Sequence, residues 1–113
     1  MTGTMTFEEY QEKSKRTAMY PAFGAGYVYP ALGLASEAGE VAGKIKKIIR
    51  DNQGVVDAER KEQLAAELGD VLWYTAQLAL QLDLSLDQIA EANIAKLLSR
   101  LERGVIQGSG DTR

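Results

Sequence analysis

Two segments of the chain with apolar residues at helical spacing each carry a pair of carboxylates three residues apart. The first pair is Glu37 and Glu40, and the second is Glu67 and Asp70. Because an α-helix turns by about 100° per residue, positions i and i+3 lie on the same face. If the two helices pack antiparallel, the four carboxylates converge and repel one another unless a cation is bound. Oxygen ligands favour a hard cation, so the pairs predict a site for Mg²⁺ or Mn²⁺.

Capping signals and apolar periodicity predict four helices. They span about residues 6–20, 30–50, 58–82 and 85–103. Their starts are marked by cap residues or by a first-turn proline, namely Thr6, Pro30, Asp57 and Ser85. Glu9 and Gln88 have the spacing that completes a capping box with Thr6 and Ser85. We therefore predict one all-α domain over residues 1–113, with a glycine-rich tail at 104–113 outside the helical bundle.

Composition excludes several classes of function. The chain has no histidine and no cysteine, which rules out triads that use imidazole, zinc-thiolate sites and the Glu-x-x-His pairs of di-iron bundles. A formal net charge of −3 argues against binding to a nucleic acid polymer. No apolar run reaches the roughly 18 residues that a membrane span needs. We expect a cytoplasmic protein with no membrane partner.

Polar stripes on three predicted helices place acids beside bases. On the second helix Lys44 and Lys47 follow the first acidic pair within an arc of roughly 80°, and on the third helix Tyr74 follows the second pair. The fourth helix carries Asn93, Lys96 and Arg100 at positions i, i+3 and i+7. Acidic and basic stripes together suit a metal ion bound to a polyphosphate. The acidic pairs are interspersed with small residues, which we expect to allow close helix approach: Ala38, Gly39, Ala66 and Gly69.

Three motifs in order along the chain resemble those of the MazG-like nucleotide pyrophosphohydrolases, which belong to the all-α NTP pyrophosphatase superfamily. They are LGLASEAGEVAGKIKK at 32–47, ELGDVLWY at 67–74 and NIAKLLSR at 93–100. The resemblance implies that a nucleoside triphosphate, ribo or deoxy, is hydrolysed to a monophosphate and pyrophosphate. It also implies that Mg²⁺ is held by the carboxylates, and that the phosphates or sugar are contacted by basic and amide side chains. The implied metal ligands are Glu37, Glu40, Glu67 and Asp70, and the implied substrate contacts are Lys44, Asn93, Lys96 and Arg100.

The residue inventory limits the mechanism. With no histidine present, one of the glutamates would accept the proton of the attacking water, and the sequence leaves open which one. Lys44, Lys96 and Arg100 would stabilise charge on the departing pyrophosphate. The nucleobase needs a flat partner, for which Trp73 and Tyr74 are candidates, together with Phe23, Tyr27 and Tyr29 from the preceding loop. An alternative for Trp73 is a place in the core or in a subunit interface.

Other functions are compatible with the same residues. A nonenzymatic nucleotide or metal sensor would use the same acidic site, and a helical assembly protein would carry the acidic stripes only as solvated surface. Within the enzyme class, phosphoribosyl-ATP or a guanosine tetraphosphate-like alarmone offers the same type of bond. Release of pyrophosphate that depends on the metal distinguishes the enzyme from the other two classes.

The apolar surface predicts self-association. Apolar residues on the second and third helices occupy more than one face, and a lone four-helix unit of this length cannot cover all of them. They include Val41, Ile45, Ile48, Ile49, Val71, Leu72 and Trp73. We therefore expect a four-helix bundle completed by oligomerisation, as a homodimer or homotetramer. In this arrangement the fourth helix or the tail would reach towards the site of a partner chain.

Overall fold

A computed structural model describes residues 3–111 and contains four α-helices. They are α1 (Phe7–Lys15), α2 (Val28–Asn52), α3 (Ala58–Gln81) and α4 (Leu86–Glu102). The described part of the chain has no β-strand. The all-α class predicted from the sequence is therefore confirmed. Of the predicted tail, residues 112 and 113 lie outside the described part.

Three of the helices begin where a side chain caps the first turn. The Thr6 side chain accepts a hydrogen bond from the Glu9 amide, and the Glu9 side chain accepts one from the Thr6 amide, so the predicted capping box is formed. Asp57 accepts from the Arg60 amide at 3.0 Å. Ser85 caps α4 in the same way. These bonds satisfy amides that have no partner within the helix, which fixes where each helix begins.

Two of the predicted boundaries are corrected. Helix α1 ends at Lys15 and not near residue 20. There the Thr17 hydroxyl donates to the Ser14 carbonyl at 2.7 Å and the chain leaves the helical path. Helix α2 begins at Val28, two residues before Pro30. A proline is tolerated in the first turn because its missing N–H would have no partner within the helix.

Helices α2 and α3 form an antiparallel pair that contains most of the packing between helices. The register runs from Gly33 beside the Tyr74 ring, through Lys44 beside Glu67, to a basic cleft lined by Asp51 and Arg60. The start of α2 thus lies beside the second half of α3, and the end of α2 lies beside its first turns. This pairing brings the two acidic motifs to the same level.

Helix α1 is held against α3 and α4 by buried polar side chains. Gln77 of α3 donates to the Ser14 hydroxyl at 2.8 Å. Gln11 donates to the Leu84 carbonyl at 3.0 Å and accepts from the Leu86 amide at 2.9 Å. We call Gln11, Ser14 and Gln77 the polar network. It fixes the connection between α3 and α4 onto α1, next to a small apolar core of Ala76, Ala79 and Leu86.

The single chain exposes more surface than a compact monomer of its size. Its accessible surface is 8296 Å², whereas a compact monomer of this mass exposes about 6,100 Å². The radius of gyration is 17.1 Å, compared with about 13 Å for a compact domain of this length. Large apolar side chains remain more than half exposed on α2, α3 and α4, among them Leu32, Ile49, Leu68, Ile94, Leu98 and Leu101. Within residues 3–111, none of the helices is apolar over the length that crossing a membrane requires.

Candidate metal and nucleotide site

Three of the four predicted carboxylates converge between α2 and α3. Glu37, Glu67 and Asp70 each offer one oxygen, and these oxygens lie within 4.8 Å of one another. We call these residues the acidic cluster. Glu37 and Glu67 are partly buried and Asp70 is exposed, so the cluster opens to solvent on one side. Three carboxylate oxygens at this spacing are a suitable ligand set for Mg²⁺ or Mn²⁺.

Electrostatics within the acidic cluster favour a bound cation. Partial burial raises the pKa of Glu37 above its usual 4.5, and the nearby charges of Asp70 and Glu67 raise it further. The cluster has one ion pair in the described part of the chain, between the Lys44 ammonium and Glu67 at 3.7 Å. One lysine offsets only one of three negative charges, so the remaining repulsion favours a divalent cation.

Glu40 lies beside the acidic cluster without being one of its three members. It is exposed, but it lies close enough for its charge to raise the pKa of Glu37 as well. A carboxylate in this position would bind a metal ion through a side-chain rotation or through water. Its role as a direct ligand stays a prediction.

A pocket lies at the Glu37 end of the acidic cluster. It has a volume of 220 Å³ and is lined by Tyr29, Leu32, Gly33, Ser36, Glu37 and Tyr74. We call it the tyrosine pocket. Burial raises the pKa of the Tyr74 phenol, and Tyr29 and the charge of Glu37 raise it further. Tyr74, predicted as a substrate contact, is thus placed between the cluster and a pocket with aromatic walls.

Gly33 has a role in this pocket that the sequence did not indicate. A Cβ atom at Gly33 would collide with the Tyr74 ring, so any larger residue there would force the ring out of its present position beside α2. We expected Gly39 and Gly69 to allow close helix approach, and this is wrong for the described chain. A Cβ at either position would meet no atom within 4 Å. A small residue matters only where the neighbouring helix places a side chain, and that depends on the register.

Trp73 is held by contacts within the chain. Its indole N–H donates to the Thr17 hydroxyl at 2.8 Å. Its ring meets Tyr74 edge-on at 5.0 Å and Tyr20 edge-on at 6.2 Å between centroids. Tyr20 in turn stacks on Tyr29 at 5.1 Å. Trp73 is thus a half-buried residue that packs edge-on against Tyr74, and it is not part of the buried core of Ala76, Ala79 and Leu86.

The predicted stripe on α4 is not joined to the acidic cluster within the described chain. Lys96 and Arg100 bind Asp111 of the tail, with the Arg100 guanidinium donating to the Asp111 carbonyl at 2.7 Å. Arg100 is buried, and its Nε has no hydrogen-bond partner. Asn93 is exposed and forms no side-chain hydrogen bond within residues 3–111. Helix α4 packs mainly against α1 and has little contact with the α2–α3 pair within the described chain, so the stripe is not held at the cluster.

Comparison with known proteins places the chain in a family. Residues 30–105 match the MazG nucleotide pyrophosphohydrolase domain, a span that contains the acidic cluster and all of α4. The chain belongs to the MazG nucleotide pyrophosphohydrolase family. It is 51% identical over 114 residues to the Gene 37 protein of Mycobacterium phage L5, covering 96% of this chain and 100% of that relative. No solved structure matches the chain. Family membership supports nucleotide pyrophosphohydrolase activity in general.

Proposed function

We propose that the protein hydrolyses nucleoside triphosphates to nucleoside monophosphate and pyrophosphate with the help of Mg²⁺. The observation that carries the proposal is the acidic cluster of Glu37, Glu67 and Asp70, in a chain that belongs to a pyrophosphohydrolase family. Mn²⁺ has the same preference for oxygen ligands and would substitute. When bound, the divalent cation would offset phosphate charge and make water more acidic.

The side chains of the protein would perform the remaining steps. A water oxygen bonds to the α-phosphorus, the bond from that phosphorus to the α–β bridging oxygen breaks, and the bridging oxygen leaves with pyrophosphate. One carboxylate of the cluster accepts the water proton, since the chain has no histidine. Lys44, beside Glu67, contributes positive charge next to the phosphates. Tyr74 and the tyrosine pocket hold the nucleoside.

A panel of substrates tests this function. The parent protein is incubated with ribo- and deoxynucleoside triphosphates, phosphoribosyl-ATP and guanosine tetraphosphate, with Mg²⁺ and with chelator. We expect monophosphate and pyrophosphate from a triphosphate only when Mg²⁺ is present. Stepwise release of orthophosphate would contradict the proposal. Nucleotide binding without any turnover would contradict it as well, and would instead favour a sensor.

We further propose that the active form is a homodimer or homotetramer. An apolar stripe on α4 supports this, because Ile94, Leu98 and Leu101 recur at helical spacing and are each more than half exposed. The surface excess of the open chain, on the order of 2,000 Å², is the size of a stable interface. A partner chain would cover it and bring a second set of α4 side chains towards the acidic cluster.

Dilution tests the assembly. If the folded chain and its site depend on association, stability and specific activity fall together as the protein is diluted. Light scattering gives the mass, and thermal unfolding is measured over the same concentration range. Replacing Leu98 with Glu is expected to shift the protein towards monomer, whereas the same change at exposed Ala95 serves as a control. A fully active monomer at micromolar concentration would contradict the assembly and leave the metal site untouched.

A further inference from the structure

A cleft with basic walls lies between the end of α2 and the start of α3. It has a volume of 170 Å³ and is lined by Lys44, Lys47, Ile48, Asp51, Arg60 and Gln63. We call it the basic cleft. Ile48 is buried and forms an apolar wall, while the basic side chains come from both helices. The cleft lies outside the acidic cluster and is connected to it through Lys44, which pairs with Glu67.

The positive charge of the basic cleft is only partly neutralised by ion pairs within the described chain. Lys47 forms no hydrogen bond or ion pair within residues 3–111. The lining carboxylate, Asp51, is held in a two-point bond at 2.8 Å by Arg50 from outside the cleft. That bond lowers the pKa of Asp51, and the nearby charges of Arg60 and Lys47 lower it further. Arg60 binds Asp57 through one guanidinium nitrogen at 2.7 Å, and a guanidinium has further donors in the same plane. The three cations of the cleft outnumber its one carboxylate, which fits an anion with several oxygens.

Three sites follow one another along the same pair of helices. The tyrosine pocket lies at the start of α2, the acidic cluster follows at Glu37, and the basic cleft begins at Lys44. From Glu37 to Lys47 the helix rises by about 15 Å. This order matches a molecule with an apolar ring at one end and phosphates at the other, bound lengthwise along the α2–α3 pair.

We propose that the basic cleft binds the two terminal phosphates of the substrate and then the pyrophosphate product. Lys44, Lys47 and Arg60 contact the anion, and the nucleoside lies at the opposite end against Tyr74. This inference rests on the proposed hydrolysis of triphosphates and adds the direction in which the substrate lies. It assigns binding roles to Lys47 and Arg60, neither of which is part of the acidic cluster.

Binding of inorganic pyrophosphate tests the cleft without turnover. The double variant Lys47→Gln and Arg60→Gln removes two charges from the cleft. Its matched control is Lys46→Gln and Lys61→Gln, which changes neighbouring exposed residues that do not line the cleft. Affinity for pyrophosphate with Mg²⁺ is measured by calorimetry for both variants and the parent, and affinity for a nucleoside monophosphate is measured beside it. Circular dichroism checks that each variant keeps its helices.

We expect the cleft variant to lose affinity for pyrophosphate by about tenfold or more, as for lost hydrogen bonds between charged groups. Monophosphate affinity should stay within about twofold, and the control variant should resemble the parent, since surface charges contribute little. Equal losses in both double variants would overturn the proposal, because net charge would then explain them. Unchanged pyrophosphate affinity in the cleft variant would also overturn it. If the parent hydrolyses no triphosphate, the proposed function fails, whereas this titration still decides whether the cleft binds pyrophosphate.

Discussion

Two polar regions of the molecule differ in whether their polar groups have partners within the chain. In the polar network, Gln11, Ser14 and Gln77 are buried and each binds a partner on another element or on the same helix. In the acidic cluster, Glu37 and Glu67 approach each other and Asp70, and among residues 3–111 only Lys44 forms an ion pair with them. The buried side chains of the first region have their hydrogen-bond partners within the chain. The second keeps unbalanced negative charge within the described chain, which is why we propose that a cation binds there.

This contrast distinguishes residues that stabilise the fold from residues that we propose act on a ligand. A buried polar group with its hydrogen bonds made contributes to stability, and its loss leaves an unpaired partner behind. Carboxylates that repel one another destabilise the chain until a ligand relieves them, which is a common property of functional sites. Substitutions in the two regions should therefore change different measured quantities.

The largest effect is expected from Glu67→Gln. The change keeps the shape of the side chain and removes its charge, so turnover with Mg²⁺ should fall by about a hundredfold or more, as for loss of a well-placed electrostatic group. The helical circular dichroism spectrum should be retained. Glu62→Gln, an exposed change on the same helix, serves as the control and should retain parent turnover. Near-parent activity in the Glu67 variant would remove the basis for the assigned site.

Gln77→Ala should affect stability and leave metal binding intact. The change removes the hydrogen bond to Ser14 and leaves a cavity where the buried Gln77 side chain lay, which should lower the free energy of unfolding by about 2–3 kcal/mol. Exposed Gln63→Ala should change it by less than about 0.5 kcal/mol. Urea unfolding measures both, and calorimetry measures Mg²⁺ affinity. A variant as stable as the parent would show that the polar network is not what holds α1 in place.

The smallest effect concerns pH. The pKa of Glu37 is raised in the folded protein. The stability that protonated Glu37 contributes is therefore fully present below the unfolded-state pKa, and it is lost as pH rises through the folded-state pKa. Without metal at neutral pH, Glu37→Gln should therefore melt at a higher temperature than the parent. The difference should shrink as the pH falls towards 4.5, the usual value. Saturating Mg²⁺ should reverse the order, because only the parent keeps the full ligand set. A melting difference that does not vary with pH would contradict repulsion at Glu37.

The parts of the fold that depend on local contacts could be predicted from the sequence. The starts of α1, α3 and α4 follow from hydrogen bonds between residues three positions apart, made by Thr6, Asp57 and Ser85. The convergence of Glu67 and Asp70 with Glu37 follows from helical spacing and an antiparallel turn. Both features depend only on contacts within a few residues or within one pair of helices.

Features that depend on distant contacts could not be predicted. Helix α1 ends early where Thr17 binds Trp73 from a helix that follows much later in the chain. Gly33 is required only because the register brings Tyr74 across from it. The burial of Arg100 depends on a tail that folds back through Gly104, whose positive φ of 71° allows the reversal. In each case the deciding partner is placed by the tertiary structure.

The position of Trp73 gives the protein an intrinsic optical reporter. It is the single tryptophan of the chain, so its fluorescence arises from one known place. Its indole touches Tyr74, which lines the tyrosine pocket beside Glu37, and its N–H is fixed by Thr17. A nucleotide that moves the Tyr74 ring changes the surroundings of the indole directly. Fluorescence emission from the unlabelled protein should therefore report, in real time, when a nucleotide occupies the tyrosine pocket.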